Sequence, residues 1–119
     1  MIVKSHRDIA GFMAGDASFL REILHPSKEA LAVGYSLAQA EVEPGGRTLP
    51  HRLTGAEVYI IVAGQGRMHV GDEQAEVVAG QTVYIPPGAV QHIENIGAGR
   101  LTFLCIVEPA WTPDGEEVL

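Results

Sequence analysis

The chain has 119 residues, of which 14 are Gly and 7 are Pro, and it is 46% hydrophobic but only 6% aromatic; that leaves room for one hydrophobic core and excludes a two-domain reading. Eight Lys and Arg against 15 Asp and Glu give a formal charge of −7, and the basic residues scatter from Lys4 to Arg100 without a stripe, which excludes nucleic acid as a partner and argues against an anionic membrane surface. The frequent Gly and Pro interrupt helices and supply turns, so an all-β fold is expected.

In chain order, Met1 to Gly15 contains no apolar stretch long enough for a signal peptide, and no segment reaches the length of a membrane helix, so a cytoplasmic protein is expected. Residues 1–34 read as an N-terminal segment that packs on or extends a barrel formed by residues 35–108. Within that segment Phe19 to Leu24 (FLREIL) fits a strand, and Ser27 to Ala32 (SKEALA) has the composition of a helical turn ended by Gly34. Eight further strands are expected at Tyr35–Val42, Thr48–Arg52, Glu57–Ala63, Arg67–Val70, Gln74–Val78, Thr82–Ile85, Gln91–Asn95 and Leu101–Val107, each separated from the next by Gly-bearing turns. Residues 109–119 form a tail that wraps around Trp111 and ends in a frayed acidic stretch. The single cysteine, Cys105, lies within LTFLCIV, so it forms no internal disulfide and reads as a buried structural residue.

Two segments carry chemistry. In Pro44 to Gly66, His51 follows Gly45 after five residues, Glu57 lies six residues further on, and Gly64 closes the strand that Glu57 opens. An imidazole and a carboxylate on neighbouring strands, both facing inward, can share one cation. In Gly80 to Asn95, a turn framed by Gly80, Pro86 and Gly88 delivers Gln91 or His92 onto a strand that ends at Asn95.

These positions resemble the two motifs of the cupins, small barrels of the double-stranded β-helix or jelly-roll type. Gly45, His51, Glu57 and Gly64 match the first motif, and Gly80, Pro86, Gly88 and Asn95 match the second. Segments such as REILHP, SLAQAEV and FLCIVEPAW are similar to those of small single-domain members. Two departures fall on functional positions, because Leu53 stands where the first motif has its second His and Gln91 where the second has its His. The resemblance implies a metal site formed by His51, Glu57 and Gln91, with a divalent ion (Zn, Fe, Ni or Mn). The replacements at Leu53 and Gln91 leave open a metal-free site in which His51 and Glu57 hydrogen-bond each other and a ligand.

Alternation refines the picture. Successive strand residues point to opposite faces, so Gln91 and His92 cannot both face inward without a bulge; Asn95 in its motif position favours Gln91 inside, and a bulge near the site would turn His92 inward. Glu57, Tyr59 and Ile61 share a face, which makes Tyr59 either a core aromatic or a ligand-orienting hydroxyl. In the enzyme that the resemblance implies, Tyr59 or His92 is the expected proton carrier. His69 should face solvent, His6 should be exposed, and His25 could pack at the barrel mouth. Leu53 shares the face of His51 and makes the pocket more apolar. The resemblance implies a metal-dependent enzyme of the isomerase, decarboxylase or dioxygenase class acting on a small polar metabolite, or else a metal-free module that binds a small molecule. Pairing through sheet edges into a homodimer is expected.

Overall fold

In the computed structural model, which describes residues 1–119, the alternating runs pair into two antiparallel sheets. The strands are β1 (Phe12–Met13), β2 (Phe19–Leu24), β3 (Ser36–Val42), β4 (His51–Leu53), β5 (Ala56–Ala63), β6 (Gln65–Val70), β7 (Glu73–Val78), β8 (Thr82–Ile85), β9 (Gln91–Asn95), β10 (Leu101–Glu108) and β11 (Glu116–Val118). One sheet runs β1-β2-β3-β10-β5-β8 and the other β11-β4-β9-β6-β7. The all-β class agrees with what turn chemistry predicts, and the two antiparallel sheets form the jelly-roll that the resemblance implies. No helix is long and apolar enough to cross a membrane.

The two-residue period decides which side chains fill the barrel. On β10, Leu101, Phe103, Cys105 and Val107 are buried while the intervening residues are half-buried. On β9, Ile93 is completely buried between Gln91 and Asn95. These chains join Ala40, Val42, Tyr59, Ile61, Met68, Val77 and Ile85 in one cluster, where each large aliphatic side chain contributes roughly 1.5–3 kcal/mol by leaving water. Tyr59 packs its ring 4.4 Å from that of Phe103. Gly64 closes the turn between β5 and β6 at φ +89°, and a Cβ there would meet the Arg100 carbonyl oxygen at 2.7 Å. The turn therefore requires glycine twice over, for its backbone angle and for its space. The loop from β8 to β9 is tied to the other sheet by the Gly88 amide, which donates to the Leu53 carbonyl at 2.8 Å, and that bond sets the register in which Gln91 arrives.

The N-terminal third and the tail depart from expectation. Phe19–Leu24 is a strand, paired with β3. Ser27–Ala32 is not a helix. Instead the chain makes a single turn in which Lys28 and Glu29 amides donate to the His25 carbonyl, while the Ser27 amide and hydroxyl bond His25 Nδ1 at 3.2 and 2.8 Å. Ser27 spends its bonding capacity on that local contact, which competes with continuing a helix. The strand expected at Thr48–Arg52 is shorter and later, covering His51–Leu53: Thr48 bonds Ile93 through both its amide, which donates to the Ile93 carbonyl at 2.9 Å, and its Oγ1, which accepts the Ile93 amide at 2.9 Å, but the Leu49 amide turns away to the Asp16 carbonyl at 2.7 Å. The acidic tail does not fray. Glu116, Glu117 and Val118 pair with Leu53, Arg52 and His51, and the Trp111 indole Nε1 donates to Glu116 Oε2 at 3.2 Å.

Candidate functional site

Between the sheets, at the end where β1, β2 and β11 lie, a cavity of about 120 Å³ opens to solvent. This is the scale of an engineered ~150 Å³ cavity that takes a benzene ring, so its occupant is a single small ring or a short chain. Its walls are mostly apolar, with Leu20, Leu53, Phe103 and Trp111 among them. Its polar groups are His51, the hydroxyls of Ser18, Ser36 and Tyr59, and the carboxyls of Asp16, Glu22, Glu57 and Glu116, with no Lys or Arg.

Glu57 stands at the start of β5 and is buried. Gln91 arrives from β9, 1% exposed, and its Nε2 donates to Glu57 Oε1 at 2.9 Å. Gln91 Oε1 is buried without a partner. Burial pushes the Glu57 carboxyl up to about 8, a shift that the Gln91 hydrogen bond opposes and the charges of Asp16 and Glu116 reinforce. Burial also drives the Tyr59 hydroxyl well above its usual range, with Glu57 adding to the effect, so Tyr59 can donate a hydrogen bond and does not ionise near neutral pH.

His51 is 2% exposed and paired with Gln91 across β4 and β9. Its Nδ1 donates to the Leu49 carbonyl at 2.7 Å, which fixes the tautomer and leaves the Nε2 lone pair facing the cavity. That Nε2 lies 3.6 Å from Asp16 Oδ2. Donor atoms of Asp16, His51 and Glu116 all lie within 4.8 Å of one another. Asp16 is held by Ser18, whose amide and hydroxyl donate to Oδ1 at 3.0 and 2.7 Å, and Ala17 between them takes a positive φ of 72°. The Asp-Ala-Ser turn was a readable local pattern; nothing in the spacing of the chain linked it to His51, or either to Glu116.

The structure thus brings His51, Glu57, Gln91 and Tyr59 to the same end of the barrel and does not bring His92 there. His92 lies on the outer face of its sheet, its ring stacked 4.1 Å from that of His69 at 9°, because β9 continues without a bulge and Gln91 takes the inward position. The His69–His92–Glu94 group is a second candidate cluster of cation ligands, half-buried and separate from the cavity. Burial and the neighbouring His69 hold the His92 imidazole below its usual range. His25 is buried, with Nε2 donating to the Trp111 carbonyl at 2.6 Å. His6 is half-buried rather than exposed, bonded through Nδ1 to Gln39 Oε1 at 3.0 Å. Cys105 is buried in the core, with its thiol pushed well up by burial.

Residues 38–107 match the family described as Cupin domain. An uncharacterized protein of Methanocaldococcus jannaschii, MJ1618, is 40% identical over 120 residues, spanning 99% of this chain and 95% of its own length. Among solved structures, a predicted oxalate decarboxylase from Thermotoga maritima superposes with a TM-score of 0.80 at 22% identity, covering 91% of this chain and 99% of that one. The polyketide cyclase RemF from Streptomyces resistomycificus gives a TM-score of 0.78 at 19% identity, over 91% and 79% of the two chains. At these identities the two structures show a shared fold alone.

Proposed function

The chain belongs to the cupin domain family, and from that premise we propose that its barrel binds a small polar metabolite and moves a proton on it, with Glu57 giving and taking the proton. The observation that carries this reading is the Glu57–Gln91 pair: a buried carboxyl held by an amide at 2.9 Å on the wall of a cavity sized for one small molecule. A carboxyl that loses its proton near pH 8 serves both directions of a proton transfer close to neutral pH. Gln91 is the positioning residue, since its amide fixes the carboxyl without touching the cavity. Tyr59 keeps its proton and offers a hydrogen bond to the ligand, and Leu53, Phe103 and Trp111 exclude water. Of the three reaction classes implied by the resemblance, isomerisation by proton transfer is the one these residues support.

The positions where cupins hold a metal do not suit one here. Leu53 offers no donor, and Gln91 commits its NH2 to Glu57, which leaves only the weak donor of a neutral amide oxygen. No step is therefore routed through an ion at His51, Glu57 and Gln91. The same two replacements favour a second reading, a binding module without catalysis.

Proton NMR in D2O separates the two. Wild type and Glu57→Gln are incubated with sets of small aldoses and ketoses, hydroxy acids and keto acids. Exchange at a carbon beside a carbonyl is expected with one of these classes, falling at least about 100-fold in the variant. Exchange equal in the two proteins would overturn the role of Glu57, and saturable binding without exchange would establish the module.

A further inference from the structure

We propose that Asp16, His51 and Glu116 form a divalent-cation site at the cavity mouth, which keeps His51 of the family's positions and takes its two carboxylates from outside the motifs, one from the turn before β2 and one from β11. The inference rests on reading this cavity as a ligand site, and its test does not depend on the proton transfer assigned to Glu57.

Three observations carry it. First, each donor is oriented by a separate bond that leaves a free atom. His51 Nδ1 is committed to the Leu49 carbonyl, Asp16 Oδ1 to Ser18, and Glu116 Oε2 to the Trp111 indole. Outer partners of this kind fix tautomer and direction around bound metals. Second, the 3.6 Å between His51 Nε2 and Asp16 Oδ2 is too long for a hydrogen bond. Two ligands bonded to one tetrahedral ion at about 2.0–2.2 Å stand roughly 3.4 Å apart, so the gap has the width of a shared ion. Third, His51 is 2% exposed yet its Nε2 makes no hydrogen bond, and it points toward two carboxylates in a lining without a single cation. One imidazole and two carboxylates suit Mn, Fe or Zn.

Bound there, such an ion would supply the positive charge that draws in and polarises an oxygen of the metabolite. The chain's own contribution is to close the site. Asp16 precedes β2 in one sheet and Glu116 opens β11 in the other, so the two carboxylates face each other across the mouth with His51 between them.

The test is calorimetric titration of chelator-stripped protein with Mn2+ and with Zn2+, alongside Mn2+-induced broadening of the histidine ring resonances. One ion per chain is expected, with His51 broadened before His69 and His92. Asp16→Asn and Glu116→Gln each keep the oxygen that Ser18 or Trp111 bonds, so the fold is retained, as thermal unfolding of both will show. Each should weaken binding at least about 10-fold, while Glu57→Gln leaves it unchanged. Loss of binding in Glu57→Gln with both mouth variants unaffected would return the ion to the family's positions and overturn the inference. Binding that survives both mouth variants and is lost in His92→Ala would place the ion on the outer face, and failure of both metals to bind at millimolar concentration would remove it; either result overturns the inference. None of these outcomes depends on turnover, so failure here leaves the D2O exchange experiment standing, and the reverse.

Discussion

Replacing Glu57 by Gln should change how the stability of the protein depends on pH. The carboxyl releases its proton at about pH 8 in the folded chain and near 4.5 when exposed. Between those values the native state binds one proton more than the unfolded state, so native stability falls as pH rises, is fully present below pH 4.5, and levels off above about 8. At about 1.4 kcal/mol per pH unit the loss across the whole window is at most roughly 5 kcal/mol. Gln cannot titrate, has nearly the shape of a neutral Glu, and retains an oxygen to accept from Gln91 Nε2. Urea unfolding of wild type and Glu57→Gln, measured from pH 4.5 to 8.5, isolates the contribution, because every other titrating group appears in both proteins and subtracts. The difference in unfolding free energy should tilt against the wild type by several kcal/mol as pH rises, flattening above 8. Parallel curves, differing by less than about 1 kcal/mol in slope across the window, would refute the burial argument and place the carboxyl in contact with water.

Three other outcomes are expected. Cys105 is buried with its thiol held well above the usual range, so a disulfide-exchanging thiol reagent at pH 8 should leave native protein unmodified and react in full once urea unfolds it. His92→Ala should leave D2O exchange at the cavity unchanged, since His92 stacks on His69 on the outer face; a loss of exchange with an intact fold would mean the side chain reaches the metabolite. Gly64→Ala should lower the unfolding free energy by about 1–3 kcal/mol or more, from the left-handed backbone alone, with the Arg100 carbonyl contact adding to it, and chemical denaturation will measure the loss.

The barrel was legible because its signals are local. Gly45, Gly64, Gly80 and Gly88 all sit at positive φ, and each marks its turn within a few residues of sequence. The same is true of the inner face: two-residue alternation along β5 and β9 is enough to put Glu57, Tyr59 and Gln91 inside and His92 outside. Asp16 and Glu116 carry no such mark. They meet because β11 pairs with β4 at one sheet edge while β2 joins β3 in the other sheet, and sheet order is set by the sum of packing choices across the chain. The SKEALA segment misled for the opposite reason. Its residues favour a helix, but Ser27 and His25 settle the backbone by a bond two residues long, which composition does not register. The tail misled because its charge suggests solvent, whereas the ladder with β4 and the Trp111 indole recruit Glu116.

The uneven lengths of the pairings also say where this fold breathes. β10 is stitched to β3 over seven residue pairs and to β5 over another seven, whereas β11 holds β4 by three and β1 holds β2 by two. These short ladders are the outer edges of the two sheets, and they come together where Gly15 lies against Val118. Opening a few hydrogen bonds there exposes little apolar surface, so the seam parts far more often than the barrel unfolds. Amide exchange in β11 should therefore outpace that in β10 by orders of magnitude.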